Sequence, residues 1–178
     1  MGQYYVIANI DKKEYINPSI LGSGIKLMEF GMDGQSAMTG LAVLLASSNG
    51  QGGGDLRIQT NSPFVHIPGR WAGDRIVVAG DYDDVPTSPG YKVYDRCRHV
   101  EPLQELAESV AGDDERQTFL DISYEVLGCL LEDHGFRENF LNIGDGDASD
   151  TWTQYLKGQR RQAWATARPN DAMPVELT

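Results

Sequence analysis

Asp81, Asp83 and Asp84, interrupted only by Tyr82, are the residues of this chain best typed and spaced to hold a cation. Three carboxylates in a loop after an apolar strand offer oxygen ligands where active sites often lie. A metal bound there could activate water, which would make the protein a metal-assisted hydrolase or a related enzyme. Arg70 and Arg75 are near in sequence and could pair with these acids or receive an anionic group, and a histidine could join them. The blander alternative is a surface turn, and the local pattern favours it. Gly73-Asp74 and Gly80-Asp81 bracket the run Arg75–Gly80. If that run is extended, Asp74 and Asp81 lie about 23 Å apart at ~3.3 Å per residue, too far to act across one bond. Each reads as a turn former whose carboxylate bonds nearby amides, with Trp71 anchoring the first turn in the core.

The other chemistry-bearing residues are weaker candidates. Asp145-Gly146-Asp147-Ala148-Ser149-Asp150 suggests calcium, but an EF-hand loop starting at Asp145 needs glycine and glutamate where Asp150 and Leu156 stand. It reads better as an acidic loop capping the next helix. Gly50-Gln51-Gly52-Gly53-Gly54 follows a helix and enters an extended segment, the reverse of a phosphate loop, and no Lys-Ser/Thr closes it. His66, His99 and His134 share no ligand spacing; His134 is expected at a helix C-terminus, where its cation would favour the dipole. Cys97 sits in Asp95-Arg96-Cys97-Arg98-His99, where the arginines could lower its pKa, and Cys129 lies on an apolar helix face. No Gly-x-Ser-x-Gly elbow is present. No catalytic residue, metal or other cofactor is assigned. The two cysteines read as free thiols of a reducing cytoplasm.

The elements that must carry these residues divide the chain. Gln3–Ile10 is aromatic and β-branched and reads as a central strand. Asp11-Lys12-Lys13-Glu14 makes a turn, and Tyr15-Ile16 starts a return strand that Asn17-Pro18 stops. Ile25–Phe30 could be a strand or a helical turn. Ser36–Ser48 is apolar almost all round and suits a buried helix capped by Ser36 and closed by Asn49-Gly50. Asp55–Thr60 reads as a strand, Arg75–Gly80 as the clearest core strand, and Tyr91–Tyr94 as another short strand. After His99 the pattern turns helical: a helix from Pro102 to Gly112, one from Glu115 to about Asp133 capped by Asp113 or Asp114 and stopped by Gly135, a short one over Phe136–Asn142, and another over Trp152–Lys157. Strands first and helices later predict an α+β fold, with a mainly antiparallel sheet in the N-terminal half and acidic helices on one face. A single domain over residues 1–167 is expected, strand-rich over 1–98 and acidic and helical over 99–158. Residues 168–178 are expected to form a flexible tail.

Met1-Gly2-Gln3-Tyr4, Asn9-Ile10-Asp11-Lys12, Trp71–Ile76 and Gly80-Asp81-Tyr82 form a recognisable set. On these residues the first half of the chain resembles an uncharacterised protein family. Its members begin with a Met-Gly-Gln-Tyr strand, continue with an Asn-x-Asp-Lys turn, and carry a central Trp-Ala-Gly-Asp-Arg-Ile strand followed by Gly-Asp-Tyr. The resemblance implies a common fold and assigns no activity.

Charge carries the functional reading. The chain holds 26 acids and 15 Lys or Arg, for a formal charge of −11. Between His99 and Leu156 fourteen acids face only Arg116 and Arg137, so the remaining 120 residues sum to +1. This field repels nucleic acid and anionic membrane surfaces and attracts basic partners. No apolar run approaches the ~18 residues of a membrane span, and the N-terminus lacks the basic region and cleavage site of a secretory signal. Glu101, Glu105, Glu108, Asp113, Asp114, Asp121 and Glu125 are the expected binding face. Soluble helices usually interleave both signs, and these scarcely do. The expectation is a non-enzymatic acidic protein that engages a basic protein surface. It would suit an inhibitor of a nucleic-acid-binding machine, of the phage anti-defence (anti-CRISPR) or toxin-immunity type, mimicking the charge of DNA phosphates.

Overall fold

The structure, a computed structural model, describes residues 2–32, 37–49, 52–86, 89–97, 118–142 and 151–178. Tyr5–Asn9 (β1) forms the heart of its sheet. Side chains alternate across a strand, so Ile7 points into one apolar cluster and Val6 and Ala8 into another. Both faces are covered, which is why the strand reads as apolar throughout. Glu14–Ile16 (β2) returns antiparallel with Ile7 opposite Ile16. The turn between them is held by Asn9, whose Oδ1 accepts from the N–H groups of Asp11 and Lys12, while Lys13 takes the left-handed conformation at φ 58°.

Ile76–Gly80 (β3) pairs antiparallel with β1 on its other side, Ile7 opposite Val78. Leu120–Asp121 (β4) pairs parallel with β2. The order is β3-β1-β2-β4, a four-stranded mixed sheet in an α+β fold. Two pairings of the three are antiparallel.

Six helices are described: Leu27–Met32 (α1), Ala37–Leu45 (α2), Val93–Arg96 (α3), Ser123–Leu130 (α4), His134–Leu141 (α5) and Thr151–Ala167 (α6), followed by a 3-10 turn at Val175–Leu177. The larger core joins Ile7 and Ile16 of the sheet to Leu44, Val126, Leu130 and Trp164. The smaller, on the opposite face, joins Val6, Ala8 and Tyr15 to Val93, Cys97 and Phe119.

Several expectations need correction. Among the described residues β3 is an edge strand, not the clearest core strand: its one neighbour there is β1, and Val78 is 37% exposed. Its apolar run reflects partial cover of both faces. Residues 55–60 pair with no strand among the described residues. Their backbone is served by side chains instead, Asn49 Nδ2 donating to the Leu56 carbonyl and Glu132 accepting from the Gln59 N–H. Over 91–97 the chain coils into α3, and Tyr91 and Tyr94 lie half-buried against the smaller core. Of the helix expected from Glu115, residues 115–117 lie outside the described residues, 118–122 are not helical, and the helix is found from Ser123. The free edge of β2 captures the preceding residues, with Leu120 N donating to the Lys13 carbonyl and Ile122 N to that of Tyr15. Gly135 and His134 do not end a helix but open α5, whose N-cap Asp133 accepts from the Phe136 N–H. The expected C-terminal dipole contact of His134 is therefore reversed; it lies 3.5 Å from Glu138. α2 is not wrapped on all sides, for Met38 and Leu45 are exposed. α6 runs ten residues beyond Lys157. Residues 168–178 dock rather than trail: Leu177 is fully buried, and the Arg161 guanidinium donates to the carbonyls of Leu177 and Thr178.

Candidate functional site

The motif residues at the tip of the β1–β2 hairpin form one network with the entry to β3. The Asp11 carboxylate accepts from the Arg75 backbone N–H at 2.8 Å and from its guanidinium at 2.8 and 2.5 Å. Asp74 accepts from Asn9 Nδ2 and Lys12 Nζ, both at 2.8 Å. Arg75 pulls the Asp11 carboxyl below the ordinary carboxylate range, and Lys12 with Asn9 does the same for Asp74. One turn deeper, Glu14 is buried and accepts from Arg70 Nε at 2.9 Å, Arg70 Nη2 at 2.6 Å and Trp71 Nε1 at 2.8 Å. Burial raises its pKa, but the bonds from Arg70 and Trp71 outweigh that and leave it lowered. Asn9, Asp11, Lys12, Trp71, Asp74 and Arg75 thus tie β1, β2 and β3 together, and the Asn-x-Asp-Lys and Trp-Ala-Gly-Asp-Arg patterns describe a structural lock.

That lock dismantles the suggested anion or metal constellation. Arg70 is bound to Glu14 and Arg75 to Asp11, so neither faces Asp81, Asp83 or Asp84. Asp81 accepts from the Tyr4 N–H at 3.0 Å. Asp83 accepts from the Gly80 N–H at 2.7 Å and Gln3 Nε2 at 2.6 Å. Asp84 is exposed beyond them. These are the turn-forming bonds of a strand end. Among the described residues no three His, Cys, Asp or Glu side chains are grouped to hold a metal ion.

The thiols are likewise withdrawn. Cys97 and Cys129 are free and buried. Burial pushes both up to about 12, reinforced by Asp121 at Cys97 and by Glu132 at Cys129. Arg98 lies outside the described residues, and Arg96 does not activate Cys97, because desolvation of the thiolate dominates its pKa.

The acidic segment divides into two fates. Glu101, Glu105, Glu108, Asp113, Asp114 and His99 lie outside the described residues, as does the Asp145–Asp150 loop. Within 118–142 most carboxylates hold structure. Asp121 accepts from the Ser123 N–H and hydroxyl, and burial together with the nearby Asp121 carboxylate pushes the Tyr15 phenol up. Glu132 accepts from Ser62 Oγ and lies 3.7 Å from Arg168. Asp133 caps α5. Glu125 on α4 is exposed, and Glu138 on α5 is exposed beside His134.

One feature escaped the sequence reading. Between α2, residues 54–56, Pro68 and the α4–α5 junction lies an open cavity of about 380 Å³. Val43, Ala46, Leu56, Leu130 and Phe136 supply apolar wall, and Asp55 and Asp133 the charges. The available signal was α2 itself, nine residues without one charge.

No family model, curated protein or solved structure matches this chain. Among the described residues no helix is long and apolar enough to cross a membrane.

Proposed function

We propose that this chain is a non-enzymatic acidic binding protein that engages a basic protein surface in a reducing, cytoplasmic setting. The observation that carries the reading is the segregation of charge, fourteen acids against two arginines between His99 and Leu156 in a chain otherwise near neutral. The residues best typed for chemistry support it from the other side. Asp81 and Asp83 tie a strand end, Arg70 and Arg75 hold Glu14 and Asp11, and both thiols are buried. In its finer form the protein is an inhibitor of a nucleic-acid-binding machine, of the anti-CRISPR or toxin-immunity kind. Its carboxylates would occupy sites that normally receive phosphates, and no nucleic acid would be bound directly. Such a face accelerates encounter with a cationic surface and loses that advantage as salt screens it beyond ~8–10 Å.

The test is association kinetics against a partner recovered at low salt, measured across a salt series. Reversal of Glu105, Glu108 and Glu125 to Lys should slow association and flatten its salt dependence while leaving the melting transition in place. Kinetics unchanged in the triple variant would refute the reading.

A further inference from the structure

We infer that the cavity beside α2 receives an apolar side chain carried on a basic segment of the partner protein. This rests on the proposed function and adds where and how the partner is gripped. The cavity of about 380 Å³ is large enough for a leucine or phenylalanine side chain, and its walls are mainly apolar. Its described lining contains no lysine or arginine, and its charged members are Asp55 and Asp133. Each carboxylate is fixed by one bond, Asp55 Oδ2 accepting from the Gly52 N–H at 2.7 Å and Asp133 Oδ1 from the Phe136 N–H at 3.0 Å. Two anchored negative charges on an apolar cavity select a cationic visitor over a neutral or acidic one. A second copy of this chain, itself at −11, would meet them with like charge.

The surface around the mouth extends the fit. Ala42 lines the cavity and also belongs to the apolar stripe Met38, Leu41, Ala42 and Leu45, spaced i, i+3, i+4 and i+7 along α2, of which Met38, Ala42 and Leu45 are exposed and Leu41 is half-buried against the larger core. Met38 is 40% and Leu45 39% exposed. A contiguous apolar stripe beside an apolar cavity with acidic lining matches an amphipathic basic segment, its anchor inserted and its cations over the carboxylates.

The experiment uses the ¹⁵N-labelled full chain and the capped hexapeptide Lys-Arg-Leu-Phe-Lys-Arg. It should shift the amides of Val43, Ala46, Leu56 and Phe136. A charge-stripped version (Gln-Gln-Leu-Phe-Gln-Gln) and an anchor-stripped version (Lys-Arg-Ala-Ala-Lys-Arg) should each bind more weakly. Ala42→Trp, at an exposed helix position, should block the mouth and abolish these shifts. The pair Asp55→Asn and Asp133→Asn keeps the acceptor oxygens and the α5 cap and should weaken binding about fivefold, the sum of two partly exposed charge contacts. Shifts centred on Glu125 and Glu138 instead, or equal binding of either control peptide, would overturn the inference. The two proposals separate cleanly. Partner binding that falls on reversal of Glu105, Glu108 and Glu125 but ignores Ala42→Trp removes the cavity and leaves the acidic reading. A hexapeptide blocked by Ala42→Trp, with partner kinetics indifferent to salt and charge reversal, removes the acidic reading alone.

Discussion

Glu14→Ala should be among the most damaging single changes to this fold. The carboxylate accepts three bonds, two from Arg70 and one from Trp71 Nε1. Trp71 is fully buried, so its indole N–H would be left without an acceptor, at a cost of about 1–3 kcal/mol. The Arg70 side chain is 25% exposed, so water would recover part of its lost pairing. Breaking a fully buried pair costs about 3–5 kcal/mol, and the partial exposure of Arg70 brings the total here to about 3 kcal/mol. That is a large share of a typical stability of about 5–15 kcal/mol. Glu14→Gln keeps one acceptor for the indole while removing the charge, so it should cost less, about 1–2 kcal/mol. Urea titration with an unchanged m-value is the assay. The same carboxyl sets an acid limit. Its pKa is lowered on folding, so its contribution is complete above the ordinary glutamate value of about 4.3 and is lost as pH falls through the folded pKa. The parent should lose stability more steeply below that pH than Glu14→Gln. A Glu14→Ala protein within 1 kcal/mol of the parent, or identical acid profiles for parent and Glu14→Gln, would show that the Arg70–Glu14–Trp71 lock does not hold the sheet as described.

Three further outcomes follow from burial and backbone geometry. Leu177→Ala removes a fully buried side chain and should cost about 2–4 kcal/mol by calorimetry, whereas a free tail would give no change. Cys97 and Cys129, pushed up to about 12, should resist alkylation near neutral pH until the chain unfolds; rapid labelling of native protein would contradict their burial. Gly69→Ala should destabilise more than Gly73→Ala by about 1–3 kcal/mol in chemical denaturation, because both have positive φ but only at Gly69 would the new Cβ meet backbone, the Ala46 carbonyl oxygen at 2.7 Å.

The sequence by itself determined the elements whose signals are local. Tyr5–Asn9 alternates into two cores, Asp11-Lys12-Lys13 turns, Pro18 stops β2, and Trp71 is too large and apolar to lie outside. The α+β class followed from the order of these signals, as did the segregation of charge. Tertiary structure decided what depended on neighbours. Ile76–Gly80 is apolar enough for a central strand, but only the pairing pattern leaves it at the edge. Phe119–Ile122 has the period of a helix, yet the edge of β2 away from β1 offers the Leu120 and Ile122 backbone better partners. Val175–Leu177 looks like tail until Leu177 finds the larger core and Arg161 the last carbonyls. The site residues divide in the same way. Arg70 and Arg75 could have faced Asp81, Asp83 and Asp84, but Glu14 and Asp11 lie closer once β1, β2 and β3 are in register. The cavity beside α2 is made by segments far apart in the chain, and no local pattern encodes a space between them.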